Sequence, residues 1–250
     1  HLGEYIHQTH PNMRKTSQLK FSDPGHLEPV DILYLAVPHG QAQKNIDAYA
    51  QIAPKIIDLS ADFRLHDPAL YEKWYGQPHA APQWLDKFAY GLPEINREAI
   101  QQTKYVSGVG CNATASNLAL LPLMESGLLN INEPVTIEIK VGSSEGGASV
   151  NSGSHHPERS GVIRTFSPFG HRHTAEVIQA FGIQKLWLTM TAVDLVRGAL
   201  ATAHVQLKEG VQMKDLWKAY RKVSQENPFL RLVNEKSGIY RVPEPKVLAG

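Results

Sequence analysis

One cysteine and two neighbouring histidines are the residues of this chain best suited to chemistry. Cys111, its only cysteine, lies in Gly108-Val109-Gly110-Cys111-Asn112-Ala113-Thr114. An apolar segment that reads as a buried strand precedes it, and a segment with helical spacing follows. Unpaired backbone N–H groups and the dipole at a helix N-terminus stabilise a thiolate and can hold a developing oxyanion. A lone cysteine is more commonly a small buried core residue, so the strand–Gly–Cys–helix context is what makes Cys111 a candidate nucleophile. The second candidate is Phe169-Gly170-His171-Arg172-His173-Thr174-Ala175-Glu176, at an expected helix start. His173 and Glu176 are three apart on one helix face, so the carboxylate can orient the imidazole or raise its pKa. A cysteine with a distant histidine, itself held by a carboxylate, is the minimum set for thiol-based acyl transfer. The plainer reading is a solvated pair of histidines.

Three further groups compete. Val141-Gly142-Ser143-Ser144-Glu145-Gly146-Gly147-Ala148-Ser149 is a Gly/Ser turn after a strand, which can place backbone N–H groups around an anion or can be a mere surface loop. Arg159 and Arg164 follow it and suit bidentate pairing with a carboxylate or phosphate. His155, His156 and Glu158 with His171 and His173 hold enough ligands for zinc, but no HExxH or CxxC spacing accompanies them. A GxGxxG fingerprint, expected where a βαβ nucleotide domain opens, is absent.

These residues need elements to carry them. Pro29–Pro38 reads as a strand buried on both faces, Gly40–Ala53 as a helix, Lys55–Ser60 and Tyr105–Val109 as further buried strands. That spacing suggests a βαβ nucleotide-binding domain. Phe63–Ile95, rich in Pro and aromatics, reads as an ordered excursion over the surface. Ala113–Gly127 has the helical period, with Gly127 a C-cap. Val135–Gly142 alternates as a half-covered strand. Leu186–Val196 and Ala199–Leu207 read as strands and Met213–Val223 as an amphipathic helix, which makes the second half α+β. The domain change is placed near Cys111, giving 1–110 and 111–250.

At 250 residues, 42% hydrophobic and 20% charged, the composition excludes a disordered tail, a collagen-like fibre and a disulfide scaffold. No apolar run approaches the roughly 20 residues of a membrane span, and a single cysteine fits a reducing, cytoplasmic setting. The net charge is +1, and the basic residues are scattered, which argues against nucleic acid.

Taken together, Ala36–Gly40, Asp58–Arg64, Tyr90–Glu94, Gly108–Thr114, Ser154–Arg164 and Gly170–Glu176 resemble the N-acetyl-γ-glutamyl-phosphate reductase family of the semialdehyde dehydrogenase superfamily. Gly110-Cys111-Asn112-Ala113-Thr114 and Ser154-His155-His156-Pro157-Glu158-Arg159 are most similar to the branch that reduces LysW-linked aminoadipyl or glutamyl phosphates in lysine and arginine biosynthesis. The resemblance implies a Rossmann-like dinucleotide domain and an α+β catalytic domain. It implies Cys111 as nucleophile toward an acyl phosphate, a thioester intermediate and reduction by NADPH. His173, or less favourably His171, would be the acid/base, with Glu176 orienting it. Pro38, His39, Gly40, Ser60, Ser143 and Gly146 would contact the cofactor, and Asn112, Arg64, Arg159 and Arg172 the substrate. Glu145 stands where the family commonly has Gly, which weighs against phosphate contacts from that loop. The implied partners are an amino-group carrier protein and a second copy of the chain, as dimer or tetramer.

The family also begins with a Gly-rich strand–turn–helix and continues beyond Val247-Leu248-Ala249-Gly250, so this chain is expected to be trimmed at both ends. The rival substrate is free N-acetyl-γ-glutamyl phosphate. The rival class is a Cys–His hydrolase or acyltransferase that needs no nucleotide.

Overall fold

The computed structural model describes residues 1–147, 151 and 153–238. Ala148, Ser149 and Val247–Gly250 lie outside them. The first 30 residues hold a short helix, α1 (Ile6–Thr9), with no buried residue.

Short apolar runs punctuated by Pro, Gly and Asp then build a parallel sheet. In chain order it comprises β1 (Leu33–Leu35), α2 (Ala42–Ile52), β2 (Ile56–Asp58), α3 (Pro68–Tyr75), β3 (Phe88–Tyr90), α4 (Pro93–Gln102) and β4 (Tyr105–Ser107). The strand order is β1-β2-β4-β3, all parallel, with Leu33 opposite Ile56 and Ile56 opposite Tyr105. Its core joins Leu35 and Ile56 to Ala42 and Ile46 of α2 and to Phe63, Trp84, Leu85 and Phe88.

Two expectations change here. The Pro29–Pro38 strand shrinks to three residues, and Tyr34 is 61% exposed. β1 is an edge strand, and among the described residues one of its faces is uncovered. Phe63–Ile95 is core rather than a surface excursion. Phe63, Leu65, Tyr71, Leu85 and Phe88 are fully buried, Phe63 stacks on Phe88 with centroids 4.1 Å apart, and the segment supplies β3. Aromatic rings bury large apolar areas, which outweighs the loop-like composition.

The second half runs α5 (Cys111–Glu125), β5 (Val135–Val141), α6 (His156–Arg159), β6 (Arg164–Ser167), α7 (His173–Phe181), β7 (Leu186–Ala192), β8 (Ala199–His204) and α8 (Met213–Glu226). Its sheet order is β6-β7-β5-β8; β5 and β7 are parallel, the other pairs antiparallel. The alternation in β5 points Val135, Ile137, Ile139 and Val141 into a core with Leu188, Met190 and, from α5, Ala113, Leu120 and Leu123. Each fully buried aliphatic side chain contributes about 1.5–3 kcal/mol. α8 packs on α5, and the Tyr220 hydroxyl donates to the Ala119 carbonyl at 3.0 Å. α5 thus starts at the carboxyl end of the first sheet and packs along the second.

Candidate active site

Cys111 is the first residue of α5, with Gly110 as its N-cap, and remains solvent-exposed. It is therefore not a core cysteine. Atoms crowd it all the same: burial, and then the Glu145 carboxylate, raise its thiol above the ordinary value, against the pull of the Asn112 and Cys111 amides. Helix-terminal stabilisation of a thiolate is outweighed in this state.

Gly110 is required by space. A Cβ there would lie 2.5 Å from His173 Nε2 and 2.7 Å from Glu176 Oε1. Its N–H donates to Glu176 Oε2 at 3.0 Å, and the Tyr90 hydroxyl donates to the same oxygen at 2.8 Å. Arg64 Nη1 lies 3.3 Å from Glu176 Oε1, while Arg64 Nε donates to the Gly108 carbonyl at 2.8 Å. Asn117 Nδ2 reaches the Tyr90 hydroxyl at 3.4 Å. Glu176 is fully buried; burial raises its pKa, while Arg64, the Gly110 amide and Tyr90 lower it. Residues from β3, the segment after β2, α5 and α7 thus converge on the turn that presents Cys111.

This geometry corrects the expected His173–Glu176 relation. His173 Nε2 is 3.8 Å from Glu176 Oε1 and 3.5 Å from Arg64 Nη1. Burial first, then His171 and the Arg64 and Arg172 charges, push its pKa down to about 2. The carboxylate is spent on Arg64, Tyr90 and Gly110, so the imidazole is neutral rather than charged. A guanidinium N–H can only donate, so the nitrogen facing it is the acceptor and the proton sits on Nδ1, a buried atom with no partner among the described residues. His171 lies against it with ring centroids 4.4 Å apart and is pushed down to about 4 by burial and then Arg172. Arg172, just before α7, is exposed.

The Gly/Ser turn is an ordered 3-10 segment, Ser143–Gly146. Several amides here are turned inward: Ser143 N–H donates to the Leu195 carbonyl, Ser144 N–H to Val196, Glu145 N–H to Gly142 and Gly147 N–H to Ser144. Gly142 ahead of it leaves no room for a Cβ, with Val196 and Arg197 backbone atoms at 2.8 Å. Glu145 accepts from Asn112 Nδ2 at 2.9 Å. Arg159 is committed too, donating to the Gly153, Val141 and Val193 carbonyls at 3.1, 2.9 and 3.0 Å. Among the described residues, no three His, Cys, Asp or Glu side chains are grouped to hold a metal ion.

At the carboxyl ends of β1 and β2, Pro38-His39-Gly40 turns into α2 with Gly40 at φ +84. The buried Asp62 gathers this turn: it accepts from the Gly40 N–H at 2.7 Å and the Gln43 N–H at 3.0 Å and pairs with His39 Nδ1 at 2.6 Å. Burial would raise Asp62, but His39 and the two amides win and hold it below the usual range. Ser60 is buried and bonded to Asp58 and Asp62. Tyr90, Asn117 and Asp62 were not singled out from the sequence. Tyr90 and Asp62 fall inside the recognised blocks, and their side-chain partners are distant in sequence.

Residues 1–103 match the family model described as semialdehyde dehydrogenase, NAD binding domain, and residues 111–250 that described as semialdehyde dehydrogenase, dimerisation domain. A protein of Thermomicrobium roseum, named provisionally as a LysW-L-2-aminoadipate 6-phosphate reductase, is 51% identical over 252 residues, covering 99% of this chain and 72% of that one. The LysW-L-2-aminoadipate 6-phosphate reductase of Deinococcus radiodurans is 44% identical over 246 residues, covering 98% and 70%. Among solved structures, aspartate semialdehyde dehydrogenase II from Vibrio cholerae superposes with a TM-score of 0.61 at 13% identity, covering 86% of this chain and 66% of that one. At that identity the likeness shows the fold alone.

Proposed function

Because this chain belongs to the semialdehyde dehydrogenase family, we propose that it reduces a LysW-linked aminoadipyl or glutamyl phosphate to the semialdehyde, in lysine or arginine biosynthesis. The observation that carries this reading is the exposed Cys111 at the start of α5, on a turn fixed by Glu176 and flanked by the neutral His173. The names of relatives at 44–51% identity support the substrate class.

Cys111 Sγ attacks the acyl carbon, the bond to the phosphate oxygen breaks, and phosphate leaves with that electron pair. The product is a thioester on Cys111; splitting the reduction this way makes each step easier. A nicotinamide cofactor, when bound, would supply hydride chemistry to the thioester carbonyl, and Cys111 would be regained as the leaving thiolate. His173, held neutral by burial, flanks the Cys111 turn with Nε2 beside Gly110. Arg172 is the cation for the phosphate. Arg64 and Asn112 act by holding the Gly108–Asn112 turn.

The residues present fit the nicotinamide end of a dinucleotide. The carboxyl ends of β1 and β2 expose Leu59 and His39 at the edge of a parallel sheet, where such ligands bind. Pro38, His39 and Gly40 would border it. Since the Gly40 and Gln43 amides serve Asp62, this turn is not a pyrophosphate site. The carrier and a second copy of the chain are the partners this reading requires.

The test is NADPH formation from inorganic phosphate and each semialdehyde, LysW-linked or free N-acetylated, with NADP and NAD compared. Turnover is expected with the LysW-linked aldehyde and NADP. Turnover with only the free acetylated aldehyde sinks the substrate assignment, and thiol-dependent hydrolysis without nucleotide sinks the reductase reading.

A further inference from the structure

We propose that Gln179 is the positioning residue that sets Arg64 against the Cys111 turn; the inference rests on the acyl-transfer reading above. Its side-chain amide binds the main chain on either side of Leu65. Nε2 donates to the Arg64 carbonyl and Oε1 accepts from the His66 N–H, both at 2.8 Å. Both ends of the amide are thereby committed to the segment Arg64–His66.

The same segment is held by α7 in two further ways. Leu65, fully buried, shares a cluster with Ala175 and Tyr71. Glu176, three residues before Gln179 and on the same helix face, takes the Arg64 guanidinium at 3.3 Å. Gln179 thus holds the main chain of Arg64 while Glu176 holds its side chain.

The arrangement bears on the nucleophile because of what Arg64 must do. Its fork serves two acceptors at once, the Gly108 carbonyl at 2.8 Å and Glu176 Oε1 at 3.3 Å. A long side chain meets both only from a fixed backbone position, and the two Gln179 bonds fix it. Glu176 in turn accepts from the Gly110 N–H, one residue before Cys111. The path from Gln179 to the sulfur therefore runs through Arg64.

The experiment is a double-mutant cycle in the full-length protein: wild type, Gln179→Met, Arg64→Lys and the double variant. Methionine approximates the length and volume of glutamine and makes neither bond. Lysine keeps a cation beside Glu176 but lacks the fork. Acylation of Cys111 is followed as phosphate release from acetyl phosphate, a small acyl phosphate that needs neither carrier nor nucleotide. NADP affinity is read by fluorescence titration.

Gln179→Met is expected to slow acylation about tenfold, as misplacement of a reacting group does. NADP affinity should stay within about twofold, because Asp62 holds the cofactor turn. On the Arg64→Lys background the same substitution is expected to cost less than about twofold. Such non-additivity marks a residue acting through another, whereas a merely structural role gives equal losses in both backgrounds. Gln179→Glu, which turns an oxygen onto the Arg64 carbonyl, carries the same cycle should Gln179→Met not fold. Equal losses, acylation in Gln179→Met within about twofold of wild type, or a parallel loss of NADP affinity overturns the proposal. If wild type takes no acyl group, the acyl-transfer reading fails, and the rate of Cys111 alkylation by iodoacetamide through the same cycle still judges the coupling. A Gln179→Met change that disappears on the Arg64→Lys background upholds it; a change of equal size in both, or none, overturns it.

Discussion

The backbone N–H of Gly110 and the side chain of Glu176 meet at 3.0 Å, so the residue immediately before Cys111 is pinned by a carboxylate from α7. Cys111 is therefore presented by a turn that belongs to both sheets' layers at once. Small misplacements of reacting groups cost large factors in rate, so this pinning bears directly on Cys111.

Gly110→Ala tests that presentation directly. The added methyl would fall 2.5 Å from His173 Nε2 and 2.7 Å from Glu176 Oε1, neither the loose end of an exposed chain. Overpacking of this kind costs about 1–3 kcal/mol. Urea unfolding is expected to show that loss, and acylation of Cys111 to fall well beyond what the stability change explains. Unchanged acylation in a folded variant would remove the positioning argument.

Tyr90→Phe removes one donor from Glu176 and leaves the ring in place. The carboxylate keeps Arg64 and Gly110, so the protein should fold with a loss of about 1.5–3 kcal/mol, the worth of a hydrogen bond to a charged group. Steady-state kinetics should show a lower kcat with KM little altered, because Tyr90 acts through Glu176 and Gly110 on the nucleophile. A rise in KM alone would mean that Tyr90 touches substrate instead.

Parts of this site were legible in the sequence, and the reasons are local. Cys111 at a helix start follows from the small residues before it and the apolar period after it. His173 and Glu176 share a helix face by their spacing. The partners were not legible, because Arg64 and Tyr90 reach Glu176 across 112 and 86 residues, and no local pattern encodes such pairs. The same holds for His173: i,i+3 spacing shows that Glu176 is near, but not that burial of the imidazole pushes its pKa down. β1 reads longer and more buried than it is because an apolar run does not reveal an edge strand. Phe63–Ile95 fails for the converse reason, since Pro-rich composition masks aromatics that pack inward.

Arg159 separates substrate contact from architecture. Its guanidinium joins the carbonyls of Val141, the last residue of β5, of Val193, just past the end of the neighbouring β7, and of Gly153. Lysine keeps the charge but lacks the planar fork that serves several acceptors. Arg159→Lys is expected to lower unfolding free energy by about 1–3 kcal/mol and to leave KM for phosphate within a few-fold. A large KM change at unaltered stability would return Arg159 to the substrate.

Two buried groups should give stability opposite dependences on pH. Asp58, fully buried, is pushed up from 3.8 to about 6 by burial, with the Asp62 charge adding to it and the Ser60 hydroxyl and amide opposing. Between those values the folded state keeps a proton that the unfolded chain has released, so stability falls as pH rises from about 4 to about 6, by about 3 kcal/mol for two pKa units. His173 runs the other way. Pushed down from 6.5 to about 2, it lets the unfolded chain bind a proton that the folded state refuses, so stability falls as pH drops below 6.5. His171, pushed down to about 4, acts in the same sense as His173, so the two histidines outweigh Asp58 and the wild type loses stability on acidification from pH 6.5 to 4. Asp58→Asn should steepen that loss, whereas His173→Asn should leave Asp58 and His171 nearly balanced and flatten it. Urea unfolding at pH 4, 5, 6 and 7 reads both. If the two variants keep the wild-type slope, Asp58 and His173 titrate alike in the folded and unfolded chains, and the neutral His173 imidazole is lost with them.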